Sequence, residues 1–437
     1  MKNIEKLIDF IKNNYEECLE SGMAVRKHLL SSPVAFHGRC VQTLHIPKIF
    51  ESRDIEKFKG VVDGFYPIFD KIVRHYTECE EYRQLFPFDK RLEELILTDP
   101  GYDTTVPVMR MDIFYNEETG NYKFCELNTD GTSAMVEDYE LSKAFKINNL
   151  PKEEIGKTTC FELFDSWVLS VERIYRSFKN RRQKPRVAIV DFLDKAYLPE
   201  FDEFVRRFEK YGFPAKICDI RKLSYKDGVL YDEDGERVDI IYRRAVTVDI
   251  MNDIESCTDF INAYKDNSVC VIGAFRTQII HHKALFCIIR HPMTKSILTD
   301  EENKLVEKHI PYTAKMCDAD FERVINDKDS YIIKPSDSYA SRGVFAGIDY
   351  TKKEWEKLVY DNKAADYIVQ EYCTPYRTPN IYLASDAPEF KMYSNLTGLY
   401  VYDGVFAGIY SRLSDGGIIS SQYNEKSVVS FVVKSEI

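Results

Sequence analysis

The stretch 110–133, RMDIFYNEETGNYKFCELNTDGTS, contains the pattern that decides the fold prediction. Arg-x-Asp begins it, and Glu-x-Asn lies near its end, on either side of the Gly-containing turn NEETGN. Side chains two residues apart on a strand share a face, so the pattern predicts a β-hairpin with polar groups on one face. The residues expected on that face are Val108, Arg110, Asp112, Phe114, Tyr122, Phe124, Glu126 and Asn128.

The polar groups of this face are of the kind that binds Mg²⁺ beside a nucleotide. Mg²⁺ prefers hard oxygen ligands, usually one or two carboxylates together with phosphate oxygens. Asp112 and Glu126 would supply the carboxylates, and Asn128 would add a neutral carbonyl oxygen. Arg110 would lie beside a metal-bound phosphate. On spacing alone, a solvated hairpin face with cross-strand Arg–acid pairs is an equally good interpretation.

The composition is that of a globular chain with reduced cysteines. It has 437 residues, 44% of them hydrophobic, a length typical of two or three domains. The net charge of −11 argues against non-specific binding to nucleic acid or anionic membranes. The 11 cysteines form no C-x-x-C pair, and no apolar run approaches a membrane span. We therefore expect a cytoplasmic protein with no nucleic-acid partner and no membrane segment.

The hydrophobic periodicity divides the chain into four predicted parts. Residues 1–100 space apolar residues at three and four, which predicts a mostly helical region. Residues 101–182 contain the hairpin, and 183–275 alternate strands and helices as a small parallel α/β domain does. Residues 276–437 contain a helix beginning near Thr277, the strands YIIKP and YIVQEY, and Gly-punctuated hairpins. The predicted fold class is α/β with α+β regions.

A lysine and a loop of small residues follow the predicted strand YIIKP. Lys334 precedes SDSYASRG, in which Ser341 and Gly343 would offer backbone N–H groups to a phosphate and Arg342 would offer charge. The loop lacks the G-x-x-x-x-G-K-[ST] spacing of a Walker loop. Taken alone, Lys334 is more simply interpreted as a surface lysine at a strand end.

Together, these motifs resemble those of the ATP-grasp ligases, in the circularly permuted branch that includes glutathionylspermidine synthase. The resemblance extends from about residue 36 to residue 433 and depends on the order of the motifs. In an ordinary ATP-grasp chain the metal carboxylates follow the nucleotide lysines, whereas here they precede them. The matching motifs are RMD and CELNTDGT (110–132), VDIIYRR (238–244), HKAL (282–285), IIKP and SRGV (332–344), VQEY (369–372) and YSRLSDGGIISSQ (410–422).

The resemblance implies a circularly permuted ATP-grasp fold with a small parallel α/β domain of the pre-ATP-grasp type. It implies that Asp112, Glu126 and Asn128 bind two Mg²⁺ ions and that Arg110 and Arg342 have catalytic roles. The residues implied in ATP binding are Lys283, Lys334, Ser341, Gly343, Gln370, Glu371, Tyr372 and Arg412. Lys295 is the rival of Lys283, which is preferred because HKAL is similar to a helix start of the family.

Three residues near the predicted metal site have two interpretations each. Thr132 and Ser133 would line a pocket for a substrate carboxylate, or they would form the turn after the strand. Arg244 would bind a substrate carboxylate, or it would end a strand in ion pairs. We favour the substrate interpretation for Arg244 and leave the other two open.

The activity implied by the resemblance is ATP-dependent ligation of a carboxylate to an amine. The carboxylate would take the γ-phosphoryl group of ATP, and the amine would displace phosphate from the acyl phosphate. A lid that includes residues 336–344 would exclude water. The partners would be a small-molecule acid and amine: a peptide, a thiol tripeptide or an amino acid, joined to a polyamine or another amino acid. The oligomeric state is left open.

Two other functions fit the same residues. One is an ATP-dependent kinase on the same scaffold, and the other is a nucleotide-binding protein without catalysis. The loop also departs from the glutathionylspermidine synthases, which have a Glu after the Arg of SRGV, so glutathione is not singled out as a substrate.

Overall fold

Helices and strands alternate through most of the chain, which confirms the predicted α/β class. The computed structural model describes residues 2–35, 39–155, 158–336, 343–363, 365–419 and 424–433. The strands are β1 Lys48–Phe50, β2 Val108–Tyr115, β3 Tyr122–Asn128, β4 Thr158–Cys160, β5 Val187–Asp191, β6 Ala215–Asp219, β7 Ser224–Lys226, β8 Val229–Tyr231, β9 Ile240–Arg243, β10 Cys270–Ile272, β11 Thr313–Lys315, β12 Tyr331–Pro335, β13 Phe345–Ala346, β14 Tyr367–Glu371, β15 Arg377–Ile381, β16 Phe390–Tyr402, β17 Val405–Ser414, β18 Lys426–Val428 and β19 Ser430–Val433.

The helices occupy the beginning of the chain and the connections between the strands. They are α1 Lys2–Asn13, α2 Tyr15–Leu30, α3 Ser52–Glu78, α4 Glu80–Arg83, α5 Lys90–Leu97, α6 Met135–Ala144, α7 Lys152–Ile155, α8 Phe164–Ser177, α9 Leu198–Lys210, α10 Thr247–Asn252, α11 Thr258–Lys265, α12 Gln278–His281, α13 Leu285–Ile288, α14 Pro292–Ile297, α15 Asp300–His309, α16 Phe321–Asn326 and α17 Lys352–Asp361. Within the described ranges, none of the helices has the length and apolar character needed to cross a membrane.

The long helix α3 supports the sheet that contains the predicted hairpin. Its apolar residues recur at helical spacing and are buried, among them Phe58, Phe65 and Ile72. The ring of Phe65 packs against Phe124 of β3, with ring centroids 4.5 Å apart. The helix therefore covers one side of the hairpin, and the polar side faces away from it.

The predicted hairpin is present, because β2 and β3 pair antiparallel. Arg110 lies opposite Asn128, and Asp112 lies opposite Glu126. The strands of this sheet are ordered β18-β17-β16-β2-β3, and β15 also pairs with β16. The four polar residues that were predicted to share a face are thus neighbours on adjacent strands.

One detail of the hairpin prediction is wrong. The register shifts by one residue at a β-bulge, so that Ile113 pairs with Phe124. A shift of one residue exchanges the two faces of a strand. Phe124 and Tyr122 therefore pack on the core side, and Tyr122 stacks on a histidine ring with centroids 3.8 Å apart. Lys123 is on the polar side instead, where its Nζ lies 3.6 Å from the Glu371 carboxylate.

A parallel sheet forms within the segment 183–275, as predicted. Its strands are ordered β10-β9-β5-β6, and all three neighbouring pairs are parallel. The runs VAIVD, IIYR and CVI are almost entirely buried, as is typical of parallel strands covered by helices.

A further antiparallel sheet contains the two strands predicted to bind the nucleotide. Its strands are ordered β11-β14-β12-β13. It has its own small core, in which Trp355 of α17 is buried together with Ile333 and Val369. The indole N–H of Trp355 donates to the carbonyl of Val324 at 3.0 Å. This arrangement holds Lys334 and Gln370 on neighbouring strands.

The continuous helix predicted to begin near Thr277 is broken. It is divided into the short helices α12 and α13, with Lys283 between them. The backbone N–H of Lys283 donates to the carbonyl of Ser336 at 3.3 Å, just beyond the end of β12. This long-range bond brings Lys283 towards Lys334, and helix periodicity could not reveal it.

Candidate active site

One cavity of about 410 Å³ brings together residues from the hairpin sheet, the β12–β14 sheet and the segment around Lys283. Apolar side chains from the same elements, such as Phe114 and Ile332, complete its walls. A cavity of mixed lining is typical of a small-molecule site. The predicted site residues that line it are Arg110, Glu126, Asn128, Ser133, Lys283, Lys334, Gln370, Glu371, Tyr372 and Arg412.

Other predicted residues lie elsewhere. Asp112, Thr132 and Arg244 are buried behind the cavity wall, and Gly343 is described but does not line the cavity. Ser341 and Arg342 fall outside the described residues, so their predicted roles stay predictions.

The rival lysine, Lys295, is outside the cavity. It lies on α14 and is paired with Glu307, with Nζ 2.9 Å from the carboxylate and both side chains nearly half exposed. Lys283 lines the cavity. The placement therefore agrees with the preference for Lys283.

Asp112 is fully buried and binds two guanidinium groups. Its carboxylate accepts from Arg110 at 2.8 and 3.1 Å, from the Asn128 amide at 3.0 Å, and also from Arg412. Burial lowers the pKa of Arg110, but the neighbouring Asp112 carboxylate raises it, and the net result is a pKa above the ordinary value. Asp112 thus holds two charged arginines side by side under the cavity.

Glycine 398 makes this packing possible. Gly398 lies opposite Asp112 on the neighbouring strand β16. A Cβ atom at this position would lie 2.8 Å from Cδ of Arg110 and 2.9 Å from Oδ1 of Asp112. A larger residue would displace the buried ion pair, so the close approach requires glycine.

Glu126 is the carboxylate of the predicted metal set that opens on the cavity. Burial raises its pKa, but Lys283, Arg412, Arg110 and Lys334 lower the pKa to about 2. Four cations therefore converge on one carboxylate, in a chain whose net charge is −11. Four cationic side chains grouped in this way suit a polyanion such as a triphosphate.

Lys334 is held in place by Gln370. Its Nζ donates to Oε1 of Gln370 at 2.8 Å, and the amide nitrogen of Gln370 donates to Oγ1 of Thr313 at 3.0 Å. Both ends of the Gln370 amide are therefore used within the sheet. Its side chain positions a lysine instead of meeting a base edge.

The backbone of the predicted adenine hinge is also partly used by the sheet. The N–H of Glu371 donates to the carbonyl of Tyr312, and the N–H of Tyr372 donates to that of Ser330, both at 2.8 Å. The next residue, Cys373, lines the cavity and was not predicted.

The loop after β3 is fixed to the parallel sheet by a buried ion pair and by a hydrogen bond. Arg243 lies 2.9 Å from Asp130, and Arg244 lies 2.9 Å from Glu200 while also donating to the carbonyl of Thr132. These contacts agree with the ion-pair interpretation of Arg244 and the turn interpretation of Thr132. The favoured substrate role for Arg244 is not supported, because its guanidinium is turned into the protein.

Ser133 lines the cavity, whereas Thr132 does not. Its carbonyl accepts from Arg110 at 3.0 Å and from the hydroxyl of Tyr400. The tight turn before it depends on Gly131, which has φ +62°. A Cβ atom there would lie 2.8 Å from Val246, so the turn requires glycine.

Removing the Arg244 guanidinium should affect stability and leave nucleotide binding unchanged. Arg244→Met leaves the buried Glu200 carboxylate without its partner, and we expect the free energy of unfolding to fall by about 3 kcal/mol. Urea denaturation and titration with an ATP analogue would measure the two quantities. Unchanged stability would contradict the ion-pair interpretation of Arg244.

Several cavity residues were missed by the sequence reasoning. Tyr410 could have been found, because it lies two residues before Arg412 on the same strand and so shares its face. Glu137 and Glu425 had no local pattern to reveal them. They reach the cavity only because α6 and the residues before β18 fold against the sheet.

Comparison with known proteins identifies the fold. No protein-family model matches the chain, and no curated protein is similar to it in sequence. A glutathione synthetase-like effector from Globodera pallida has a TM-score of 0.63 at 12% identity, over 96% of this chain and 97% of that chain. A protein proposed to be a gamma-glutamylcysteine synthetase from Methylobacillus flagellatus has a TM-score of 0.42 at 11% identity, over 88% of this chain and 90% of its own.

A D-alanine–D-alanine ligase from Coxiella burnetii has a TM-score of 0.30 at 10% identity, over 56% of this chain and 84% of that chain. At such identities a similarity concerns the fold alone, and here it depends on the Globodera pallida structure, whose match spans nearly the whole of both chains. The chain thus has an ATP-grasp fold.

Proposed function

We propose that the protein is an ATP-dependent carboxylate–amine ligase of the circularly permuted, glutathionylspermidine synthase-like type. The observation that supports this most is the meeting of Arg110, Glu126, Lys283 and Lys334 in one cavity. In the chain, the acidic residue of this group precedes both lysines. That order, on an ATP-grasp fold, supports the permuted type.

The cationic side chains would bind and orient the triphosphate. Lys283 and Lys334 come from neighbouring segments, and Arg110 and Arg412 are held by one carboxylate. Phosphoryl transfer requires little covalent chemistry from a protein, and positioning with charge stabilisation provides most of the acceleration. Arginines already fixed by an ion pair lose little freedom when a phosphate arrives.

The residues fit Mg²⁺ in part. Glu126 and Asn128 line the cavity and offer hard oxygen atoms, whereas the oxygens of Asp112 already accept from three side chains. Within the described part of the chain, no group of three or more His, Cys, Asp or Glu side chains forms a metal site. Mg²⁺ usually needs only one or two protein carboxylates beside phosphate oxygens and water. Bound there, it would neutralise phosphate charge.

The amine would then attack the acyl phosphate formed from the acid. Arg110 and Arg412 would stabilise the negative charge that passes to the departing phosphate. Val344, at the end of the segment expected to act as a lid, lines the cavity, while residues 337–342 fall outside the described part of the chain.

A screen of acids crossed with amines tests this function. Each pair is incubated with ATP and Mg²⁺, ADP release is followed, and the products are weighed by mass spectrometry. We expect ADP, inorganic phosphate and an amide only when both substrates are present. A product that keeps the phosphoryl group would identify a kinase. ATP binding without ADP release across the screen would favour a non-catalytic nucleotide-binding protein.

Lys334 should contribute to ATP affinity, whereas Lys295 should not. Lys334→Ala removes a charged hydrogen-bond donor from the cavity, and we expect binding of a non-hydrolysable ATP analogue to weaken by about 1–3 kcal/mol. Lys295→Ala is the matched control, since this lysine pairs with Glu307 away from the cavity. Calorimetric titration measures both. Equal affinities in the two variants would contradict the assignment of Lys334.

A further inference from the structure

Resting on the ligase function proposed above, we propose that Glu137 is the residue that accepts the proton of the attacking amine. Glu137 lies in the first turn of α6 and lines the same cavity as Arg110 and Arg412. None of the roles assigned so far uses it. Glu137 is in direct contact with a hydroxyl group, whereas Glu126 is surrounded by cations.

Tyr410 connects Glu137 to the phosphate side of the cavity. Its hydroxyl donates to Oε2 of Glu137 and lies 2.8 Å from the hydroxyl oxygen of Ser427. The guanidinium of Arg110 lies over the Tyr410 ring, with Cζ 6.0 Å from the centroid. Glu137 is therefore one side chain away from the arginine proposed to face the transferred phosphoryl group. A base that is one side chain away from this arginine can reach a nucleophile that attacks the adjacent acyl carbon.

The surroundings of Glu137 adapt it to exchange a proton near neutral pH. Burial, together with the nearby carboxylates of Glu425 and Glu200, raises the pKa of Glu137 to about 7 despite the Tyr410 hydrogen bond and the charge of Arg110. A base whose pKa lies near the working pH transfers protons most effectively. The titratable and charged groups that face it are Arg110, Tyr197, Glu200, Tyr410 and Glu425.

Glu425 gives the same wall a second unusual carboxylate. Its Oε2 atom is buried and has no hydrogen-bond partner among the described residues, and it lies 3.5 Å from Nη1 of Arg412. Two carboxylates on one wall suit a cationic nitrogen, and the Glu425 oxygen still has room for a hydrogen-bond donor. This part of the cavity is therefore assigned to the amine and the cationic part to the phosphates.

An alkylammonium group with a pKa of about 10 has no lone pair until it loses a proton. The carboxylate of Glu137 takes that proton, the nitrogen lone pair forms the C–N bond at the acyl carbon while the nitrogen gives its second proton to the phosphate, and the C–O bond to phosphate breaks. Inorganic phosphate leaves with the electron pair of that bond. Glu137 afterwards returns its proton to solvent.

Glu137→Gln tests the step, because the amide keeps the size of the side chain and can accept from Tyr410 but cannot take up a proton. With an acid and amine found by the screen, we expect amide formation to fall by at least about 100-fold. Hydroxylamine, which is unprotonated at neutral pH, needs no base, so trapping of the acyl phosphate as a hydroxamate should remain near the wild-type rate. Glu140→Gln is the matched control. Glu140 is on the same helix, pairs with Lys143 at 2.7 Å and does not line the cavity, so both rates should be unchanged.

A second measurement needs no substrate. In protein with ¹³C-labelled glutamate carboxyl groups, we expect one resonance that titrates near pH 7 and is missing from Glu137→Gln. Absence of this resonance from the wild type, or an unchanged amide rate in the variant, overturns the proposal. Equal loss of hydroxamate and amide would place Glu137 in the phosphorylation step and overturns it as well. A wild type that forms neither product contradicts the ligase function, and the titration then still decides whether Glu137 can act as a base.

Discussion

Asp112→Ala is expected to lower the free energy of unfolding by about 3–5 kcal/mol, because it leaves two buried guanidinium groups without their shared carboxylate. Asp112 is fully buried, and the side chains of Arg110 and Arg412 are only 8% and 11% exposed. With so little of each guanidinium exposed, water can replace the lost carboxylate only in part. Urea denaturation followed by circular dichroism measures the change.

Asp112→Asn is the informative companion variant. It keeps the shape of the side chain and part of its accepting capacity, but it removes the charge. We expect a loss of stability between those of the wild type and the alanine variant. Alanine and asparagine variants that are as stable as the wild type would show that the two arginines do not depend on Asp112.

Glu126→Gln is expected to lower ATP-dependent ADP formation by at least about 100-fold, with little loss of stability. The carboxylate opens on the cavity, where it balances four cations and provides the exposed charged oxygen of the predicted Mg²⁺ set. Its side chain is 34% exposed, so water can solvate the amide that replaces it. Coupled measurement of ADP release with the substrate pair found by the screen gives the rate.

The control for this change is Glu118→Gln, in the exposed turn of the same hairpin. Glu118 accepts from the Tyr376 hydroxyl outside the cavity, so its variant should retain the wild-type rate. An unchanged rate in Glu126→Gln at saturating Mg²⁺ would refute the role of the hairpin in catalysis. The sequence alone predicts that Asp112 and Glu126 have the same role as Mg²⁺ ligands. In the structure, Asp112 is the buried partner of two arginines, whereas Glu126 lines the cavity.

Local patterns were sufficient for the elements of the hairpin sheet. Alternation at a period of two predicted that Arg110 and Asp112 share a face with Glu126 and Asn128, and the observed register places them in two facing pairs. The bulge was not predicted, because a period-two pattern followed along one strand assumes that the alternation of faces is unbroken. Its consequence for Lys123 appears only when both strands are aligned.

Long-range contacts decided the rest of the candidate site. The break in the helix at Lys283 depends on a backbone bond to Ser336, and the burial of Asp112 depends on Arg412, a residue 300 positions away in the chain. Neither contact has a spacing that can be read from neighbours. The roles of Ser341 and Arg342 stay predictions, since both residues lie outside the described ranges.

The sequence by itself determined the α/β class, the polar hairpin and the residue types that a nucleotide site needs, because hydrophobic periodicity and turn residues act over a few positions. Only the tertiary structure decided which of those residues meet: Glu126 in the cavity, Asp112 beneath it, and Arg244 in an ion pair behind it. The physical reason is that burial and charge pairing are properties of groups brought together from distant parts of the chain. The same reason explains why Glu137 became visible only in the folded protein.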